Sequence, residues 1–105
     1  MDIVHLQNKV SAFVENNNIE TSVEARLLDL VSELGELSKE FLKGSKYGKD
    51  EFIETQDWEN EFGDVLFTMI CIANSTDINI ETALKKALNK YKKRSEQKGE
   101  ISSGN

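Results

Sequence analysis

Residues 27–41, LLDLVSELGELSKEF, carry the clearest structural pattern in the sequence. Their apolar side chains recur at intervals of three and four, which is the period of one face of an α-helix. Glu33, Glu36 and Glu40 repeat at the same spacing on a neighbouring face. The segment therefore predicts a long amphipathic helix with a row of acids beside its apolar stripe. That stripe consists of Leu27, Leu30, Val31, Leu34, Leu37 and Phe41.

A second acidic pair, Glu61-Phe-Gly-Asp64, precedes the apolar run at residues 65–73. In each pair the acids are three residues apart and therefore share one helix face. Carboxylates gathered on two helices repel one another unless a cation lies between them, and Mg²⁺ is held by such oxygens alongside substrate phosphates. All-oxygen donors favour Mg²⁺, with Mn²⁺ as a substitute, over zinc. We expect the metal ligands to be Glu33, Glu36, Glu61 and Asp64.

Hydrophobic periodicity along the chain predicts an all-α fold of four main helices, a bundle completed by oligomerisation. The chain has no Pro and 6 Gly, with 30% charged and 38% hydrophobic residues, which suits a helical domain. A length of 105 residues favours a single domain, expected at residues 1–95, with a polar, disordered tail at 96–105. The predicted helices cover residues 2–15, 21–42, a stretch from between 50 and 56 to 75, and 80–95.

Polar residues at the predicted helix starts indicate caps. Thr21 with Glu24 is expected to form a capping box, and Asn79 or Asp77 is expected to cap the last helix. Residues 65–73 are apolar nearly all round, and such a helix is buried on all sides. In so short a chain, this much burial favours a subunit interface.

The segment at residues 43–50 contains two glycines and three lysines and predicts a flexible loop. One interpretation is a solvated loop, and the other is a mobile segment whose lysines meet substrate phosphates. Gly35, between the first two acids, indicates either close approach by another helix or ligand, or a tolerated glycine.

The net charge of −6 argues against a nucleic-acid polymer or an anionic membrane as partner. The longest apolar stretch is too short to span a bilayer. No signal peptide is expected, because Met1-Asp2-Ile3 opens without a basic segment.

Cys71 is the single cysteine, which excludes an intrachain disulfide and predicts a cytoplasmic protein. We expect Cys71 to be a buried core thiol.

The chemistry that four such carboxylates support is attack of water on phosphorus. A bound metal neutralises the phosphate charge, orients the water and lowers its pKa. Glu40 or Asp57 is in helical register to act as a general base. Acids on a helix are usually a solvated face, and a single ExxE is a weak signal. Two such pairs, each with Gly at the same inner position, are far more specific.

Glu33-Leu-Gly-Glu36-Leu and Glu61-Phe-Gly-Asp64-Val-Leu resemble the paired motifs of the MazG-like, all-α nucleoside triphosphate pyrophosphohydrolases. The resemblance covers roughly residues 6–94. It implies magnesium-dependent hydrolysis of a nucleoside triphosphate to the monophosphate and pyrophosphate. It also implies a homodimer or homotetramer whose subunits share the site. Ser32 departs from the pattern, since many relatives have Glu there, so the number of metals and the water-activating residue are left open.

Basic and aromatic residues outside the motifs have two interpretations each. The resemblance implies that Lys90 and Arg94, four apart on the last helix, contact phosphates. The alternative is a basic face that complements the helix dipole. Trp58 is expected either to stack on a base or to anchor the core or an interface. His5 is expected at the surface, although relatives build part of the base pocket from this helix.

Two functions of different classes fit these observations. The first is a nucleotide pyrophosphohydrolase for nucleotide-pool house-cleaning, with a phosphoribosyl-ATP pyrophosphohydrolase-like enzyme as its related alternative. The second is a non-catalytic helical interaction module, which Ser32 and the small size suggest. Intact acids at all four motif positions favour the first. The base, the sugar, the phosphorus attacked, and dimer against tetramer stay open.

Overall fold

The computed structural model describes residues 1–98, and within them the chain forms four α-helices. Helix α1 spans Ile3–Asn16, α2 spans Val23–Gly44, α3 spans Trp58–Ser75 and α4 spans Ile80–Lys98. The predicted all-α class with four main helices is therefore confirmed. Residues 99–105, which belong to the tail predicted to be disordered, lie outside the described residues.

The caps of α2 and α4 test the predictions for the helix starts. Ser22 caps α2, because its side chain accepts a hydrogen bond from the Ala25 N–H at 3.1 Å. The predicted capping box of Thr21 and Glu24 is wrong, since the extended backbone of Ser22 puts Thr21 outside the helix. The Asn79 side chain caps α4 by accepting from the Thr82 N–H at 3.1 Å, which confirms one of the two predicted alternatives.

Three helix ends differ from their predicted positions. Helix α2 continues to Gly44, so two residues assigned to the loop belong to its last turn. Helix α3 begins at Trp58, later than predicted, because the preceding segment is held against the end of α2 by tertiary contacts. Helix α4 continues to Lys98 because Glu, Gln and Lys are good helix formers, so the first three residues of the predicted tail are helical.

Helices α2 and α3 run antiparallel and form the main packed pair. Early in α2, Arg26 Cζ lies 6.0 Å from the centre of the Phe67 ring in the middle of α3. Late in α2, the Phe41 ring centre lies 5.8 Å from that of Trp58 at the start of α3. Side chains at three- and four-residue intervals on both helices therefore face a common seam. Its half-buried and buried positions are Leu30, Glu33, Leu37 and Glu40 on α2, and Glu61, Val65 and Thr68 on α3.

Helix α1 packs on α3 and also holds α4. The link to α4 is the buried Gln7 side chain, whose Nε2 donates to the Ile78 carbonyl at 2.8 Å and to Asn74 Oδ1 at 3.1 Å. Its Oε1 accepts from the Ile80 N–H at 2.9 Å. One amide thus joins α1 to the end of α3 and to the start of α4.

The connection between α2 and α3 folds back over the last turns of α2. The Ile53 N–H donates to the Gly44 carbonyl at 2.9 Å. The rings of Phe41 and Phe52 stack with centres 4.5 Å apart. A Cβ on Gly44 would lie 2.5 Å from Phe52 and 2.6 Å from the Ile53 carbonyl oxygen, so this close approach requires glycine.

Much of the apolar surface is uncovered in a single chain. Among residues 1–98 the buried apolar residues are Cys71 and Ala73, which confirms the expected burial of the thiol. Leu66 and Met69 are about half exposed, so the expected burial of the run 65–73 on all sides is not met within one chain. The reason is that α1 and α2 cover only part of the circumference of α3. No helix in the described part of the chain is long and apolar enough to cross a membrane.

Candidate metal centre

Three acids from the two predicted motifs meet at the seam between α2 and α3. One carboxylate oxygen from each of Glu33, Glu61 and Asp64 lies within 4.8 Å of the others. Glu33 and Glu61 are half-buried at facing seam positions, whereas Asp64, one turn further along α3, is exposed. Helical spacing and antiparallel packing are sufficient to bring these side chains together.

Glu36 is the fourth acid predicted as a ligand, and it lies outside this group of three. It is exposed, one turn beyond Glu33 on α2. Its negative charge still acts on the cluster, because it contributes to the raised pKa of Glu61. The assignment of Glu36 as a metal ligand stays a prediction, as do the ligand roles of the other three.

The electrostatics of the cluster are those of crowded like charges. Partial burial raises the pKa of Glu61 above its ordinary value, and repulsion from Asp64, Glu36, Glu33 and Glu40 raises it further. None of the ion pairs formed among residues 1–98 involves Glu33, Glu61 or Asp64. In the described part of the chain, no side-chain cation therefore pairs with the negative charges of the cluster.

A hard divalent cation fits this donor set. Three carboxylate oxygens converge, no sulfur or imidazole ligand lies in the group, and partial burial, with repulsion from the neighbouring acids, raises the pKa of Glu61. Such oxygen donors suit Mg²⁺ or Mn²⁺, which keep several waters and bind alongside substrate phosphates. A crowded, partly buried set of like charges needs an opposite charge nearby, and a bound divalent cation would supply it.

The two acids predicted as candidate general bases differ in environment. Glu40 is buried, and its two oxygens accept from the Thr55 hydroxyl at 2.8 Å and from Lys43 Nζ at 3.2 Å. The hydrogen bond from Thr55, with that from Lys43, lowers the pKa of Glu40. Asp57 is exposed at the cap position of α3 and makes no capping hydrogen bond with its side chain. Bonding of both oxygens makes Glu40 a weaker proton acceptor, and the base assignment stays a prediction.

The lysines of the predicted loop are largely paired within the chain. Lys43 lies in α2 and pairs with Glu40, while Lys46 Nζ lies 3.4 Å from Asp50. On α4, Lys90 Nζ lies 4.9 Å from the centre of the Tyr91 ring, and Arg94 Cζ lies 5.9 Å from the same centre. The two predicted phosphate contacts thus flank one aromatic ring, and their role stays a prediction.

Trp58 is part of an aromatic cluster rather than standing alone at the surface. Its ring lies edge-on to those of Phe41, Phe52 and Phe62, with centres between 5.2 and 6.3 Å away. These contacts favour the predicted role as an anchor over stacking on a base. His5 is exposed, as expected.

Gln7 and Thr55 make tertiary hydrogen bonds that the sequence patterns did not predict. Both are polar residues whose partners lie far along the chain or across a loop. No local motif marks either residue.

The protein is thus an all-α protein in which paired acidic motifs face each other across two antiparallel helices. Residues 21–98 match the family model of the MazG nucleotide pyrophosphohydrolase domain. The chain belongs to this family, which confirms the resemblance seen in its motifs.

Individual relatives agree with this assignment. Over 73 residues the chain is 40% identical to the uncharacterized protein YpjD of Bacillus subtilis (strain 168), a match covering 67% of this chain. That match covers 64% of YpjD, which is less than two thirds of its length.

Two solved structures share the fold. The crystal structure of the Bacillus-conserved MazG protein, a nucleotide pyrophosphohydrolase, superposes with a TM-score of 0.73 at 35% identity. That superposition covers 87% of this chain and 89% of the other. The crystal structure of YPJD from Bacillus subtilis gives a TM-score of 0.73 at 32% identity, covering 87% and 93% of the two chains.

Proposed function

We propose that this protein is a divalent-metal-dependent nucleotide pyrophosphohydrolase that cleaves a nucleoside triphosphate to the monophosphate and pyrophosphate. The observation that carries the proposal is the convergence of Glu33, Glu61 and Asp64 at the α2–α3 seam of a MazG-family domain. A role in clearing unwanted nucleotides from a reducing cytoplasm fits the single buried cysteine.

The chain's own residues divide between metal binding and substrate binding. Glu33, Glu61 and Asp64, with Glu36 beside them, would hold Mg²⁺ or Mn²⁺. Bound there, the ion would neutralise the phosphate charge and activate water for attack on phosphorus. Lys90 and Arg94 on α4 bind the phosphates through their positive charges.

In this proposal the nucleoside occupies a recess that lies about two helical turns along α2 and α3 from the acids. A cavity of about 400 Å³ opens between the end of α1, the start of α2 and the late part of α3. Val14, Arg26 and Cys71 are among its lining residues. Its size lies within the range of small-molecule pockets. Val14→Trp would fill the recess, and it should raise KM for the nucleotide while metal binding is retained.

The active form in this proposal is a homodimer or homotetramer whose subunits share the site. The support is the exposed apolar surface on one side of α2, where Leu28 is 73% and Val31 is 69% exposed. Uncovered apolar area of this kind marks an interface. The dimer and tetramer alternatives are separated by sedimentation.

Pyrophosphate release tests the proposed reaction. Purified protein is incubated with canonical and modified nucleoside triphosphates, each with Mg²⁺ and with excess chelator. The proposal expects release that needs the metal and is lost in Asp64→Asn. Glu59→Gln is the matched control, because Glu59 is an exposed acid on the same helix. No release from folded protein across the panel, and then none from phosphoribosyl-ATP, would favour the non-catalytic module.

A further inference from the structure

Glu40 is the one charged residue buried among residues 1–98, at 8% exposure. A buried carboxylate is costly unless its oxygens receive hydrogen bonds. Here the Thr55 hydroxyl donates to Oε2 at 2.8 Å and Lys43 Nζ donates to Oε1 at 3.2 Å. Lys43 lies on the same helix as Glu40, whereas Thr55 lies beyond it. The bond from Thr55 is therefore the one that connects two parts of the fold.

Thr55 belongs to the turn that starts α3. Its carbonyl accepts the Trp58 N–H at 3.3 Å, and Trp58 is the first residue of α3. The nearby Ile53 N–H is held by the Gly44 carbonyl at 2.9 Å. The chain that enters α3 is thus tied at two points to the final turns of α2.

The aromatic contacts at the same place do not fix this geometry by themselves. The rings of Phe41, Phe52 and Trp58 hold the segment against α2. Apolar burial is non-directional, so it tolerates small rotations and slides. A hydrogen bond weakens steeply as its distance and angle change, so it specifies where the segment lies.

The start of α3 sets the position of the acids on that helix. Glu61 follows Trp58 by three residues, which is less than one helical turn, and Asp64 follows by one turn more. Their partner Glu33 lies on α2, two turns before Glu40. A slide or rotation of α3 against α2 would therefore change the distances within the three-acid cluster directly.

We propose that Glu40 and Thr55 are positioning residues for the metal centre, because their hydrogen bond fixes the start of α3 and so the placement of Glu61 and Asp64 relative to Glu33. The inference rests on the proposed function in so far as the cluster binds a divalent cation. Mg²⁺ demands near-ideal octahedral geometry, so a small displacement of one carboxylate is enough to weaken its binding. Glu40 acts here as a hydrogen-bond acceptor and not as the general base.

The role is tested without substrate by titrating the protein with Mn²⁺ and following the free ion by electron paramagnetic resonance. Thr55→Val removes the hydroxyl and keeps the shape of the side chain. It should weaken Mn²⁺ binding by up to about 10-fold, the lower end of the loss seen when a partner bonded directly to a metal ligand is removed. Thr55→Ser restores the donor and should return the affinity to that of the wild type.

The matched control lies at the other end of α3. The Thr76 hydroxyl donates to the Ile72 carbonyl at 2.8 Å, the same length as the bond from Thr55. Thr76→Val removes a comparable bond far from the acids and should leave Mn²⁺ affinity unchanged. Equal losses of affinity in Thr55→Val and Thr76→Val would show a general effect of stability and would overturn the inference.

Substitutions of Glu40 separate a positioning role from a catalytic one. Glu40→Met removes the acceptor and should weaken Mn²⁺ binding as much as Thr55→Val, with no further loss in the double variant. Glu40→Gln keeps an oxygen that accepts from Thr55, so both affinity and kcat at saturating metal should be retained. Loss of kcat in Glu40→Gln with unchanged affinity would identify a base and contradict the proposal.

The outcomes also separate this inference from the proposed function. If the wild type binds Mn²⁺ and hydrolyses nucleotide but both Thr55→Val and Glu40→Met bind it equally well, only the positioning role is wrong. If the wild type itself does not bind Mn²⁺, the proposed function fails and the inference fails with it. If Thr55→Val does not fold, the same titration is carried out on Glu40→Met and Glu40→Gln. Weaker Mn²⁺ binding in Glu40→Met than in Glu40→Gln would support the positioning role, and equal binding would overturn it.

Discussion

At the scale of single residues, Glu61 combines the position and the electrostatics that characterise the acidic cluster. It lies at the seam, its carboxylate is close to those of Glu33 and Asp64, and its pKa is raised by burial and by its acidic neighbours. In this position Glu61 would bind the proposed cation, whereas in the metal-free protein the repulsion from its acidic neighbours lowers the stability of the fold. The same residue therefore links function to stability.

Neutralising one acid should separate these two effects. Glu61→Gln or Asp64→Asn should lower activity at least about 100-fold, because loss of a ligand exceeds the loss seen for outer-shell partners. The helices should remain, and the metal-free melting temperature of Glu61→Gln should rise through reduced repulsion. Activity assays with circular dichroism test this, and Glu59→Gln is the control. Wild-type turnover in both variants would make the site assignment wrong.

The raised pKa of Glu61 also predicts how stability depends on pH. The native state binds a proton at Glu61 more readily than the unfolded state does, for which the pKa is near 4.5. The free energy of unfolding of the metal-free protein should therefore rise as pH falls from neutral through the raised pKa towards 4.5. Glu40 has a lowered pKa, so its stabilising effect is lost only below 4.5 and does not mask this window.

Thermal melts with a chelator, between neutral pH and about pH 5, measure this dependence. Glu61→Gln should lack the part of the increase that comes from Glu61. Parallel curves for the two proteins across this range would contradict the assigned electrostatics.

At the scale of elements, the seam owes its geometry to the end of α2. Gly44 permits the backbone of Ile53 and the ring of Phe52 to lie directly against this turn. Glu40, one turn earlier, receives the Thr55 hydroxyl. The helix that carries the first acidic motif thus also positions the helix that carries the second.

A pair of glycine substitutions tests this close approach. Gly44→Ala should destabilise the fold, because the new Cβ would lie 2.6 Å from a carbonyl oxygen that cannot move freely. Gly35→Ala is the matched control, since within residues 1–98 nothing beyond the adjoining residues and backbone of its own helix lies within 4 Å of where its Cβ would be. Gly35→Ala should gain up to about 1 kcal/mol of helix stability. Urea denaturation measures the free energy of unfolding of both variants. Equal values would show that the close approach at Gly44 does not require glycine.

The side chain of Gln7, which joins α1 to α4, can also be tested by substitution. Gln7→Leu leaves the Ile80 N–H and the Ile78 carbonyl without their partner, which should cost about 1–3 kcal/mol. Amide hydrogen exchange should accelerate most in the first turns of α4. Asn8→Leu, at an exposed neighbouring position, serves as the control. Protection in α4 that is unchanged in Gln7→Leu would show that the amide does not hold this helix.

Sequence patterns predicted these elements only as far as local signals reach. Spacing of apolar residues gave α2 and its acidic row, since helical period is a local property. The start of α3 was misplaced because residues 50–57 contain no Gly or Pro, and contacts with α2 keep them from being helical. Gln7 has partners 67 and 71 residues away, so its burial is invisible locally. The separation of Glu36 from the other acids depends on how α2 is rotated in the packed pair.

At the scale of the whole molecule, a single chain leaves much of its apolar surface exposed and forms only a small core. The radius of gyration is 16.7 Å, whereas a compact domain of this length has about 13 Å. Leu28 and Val31 on α2 and Leu88 on α4 are each at least 60% exposed. Together these features favour assembly with further copies of the chain.

Assembly should therefore be tight and should depend on the outer face of α2. Sedimentation of the wild type should give a dimer or tetramer at micromolar concentration. Leu28→Asp should shift the distribution towards smaller species, because it places a charge on an apolar contact surface. Glu24→Asp, an exposed change on the same helix that keeps the charge, is the control. A wild type that sediments as a monomer would contradict the proposed assembly.

The acids at the α2–α3 seam are proposed to hold a divalent cation. The decisive measurement uses crystals grown with Mn²⁺ and recorded at a wavelength where manganese scatters anomalously. We predict an anomalous peak between the carboxylates of Glu33, Glu61 and Asp64. A well-ordered seam without such a peak, or a peak only elsewhere in the molecule, would contradict the account.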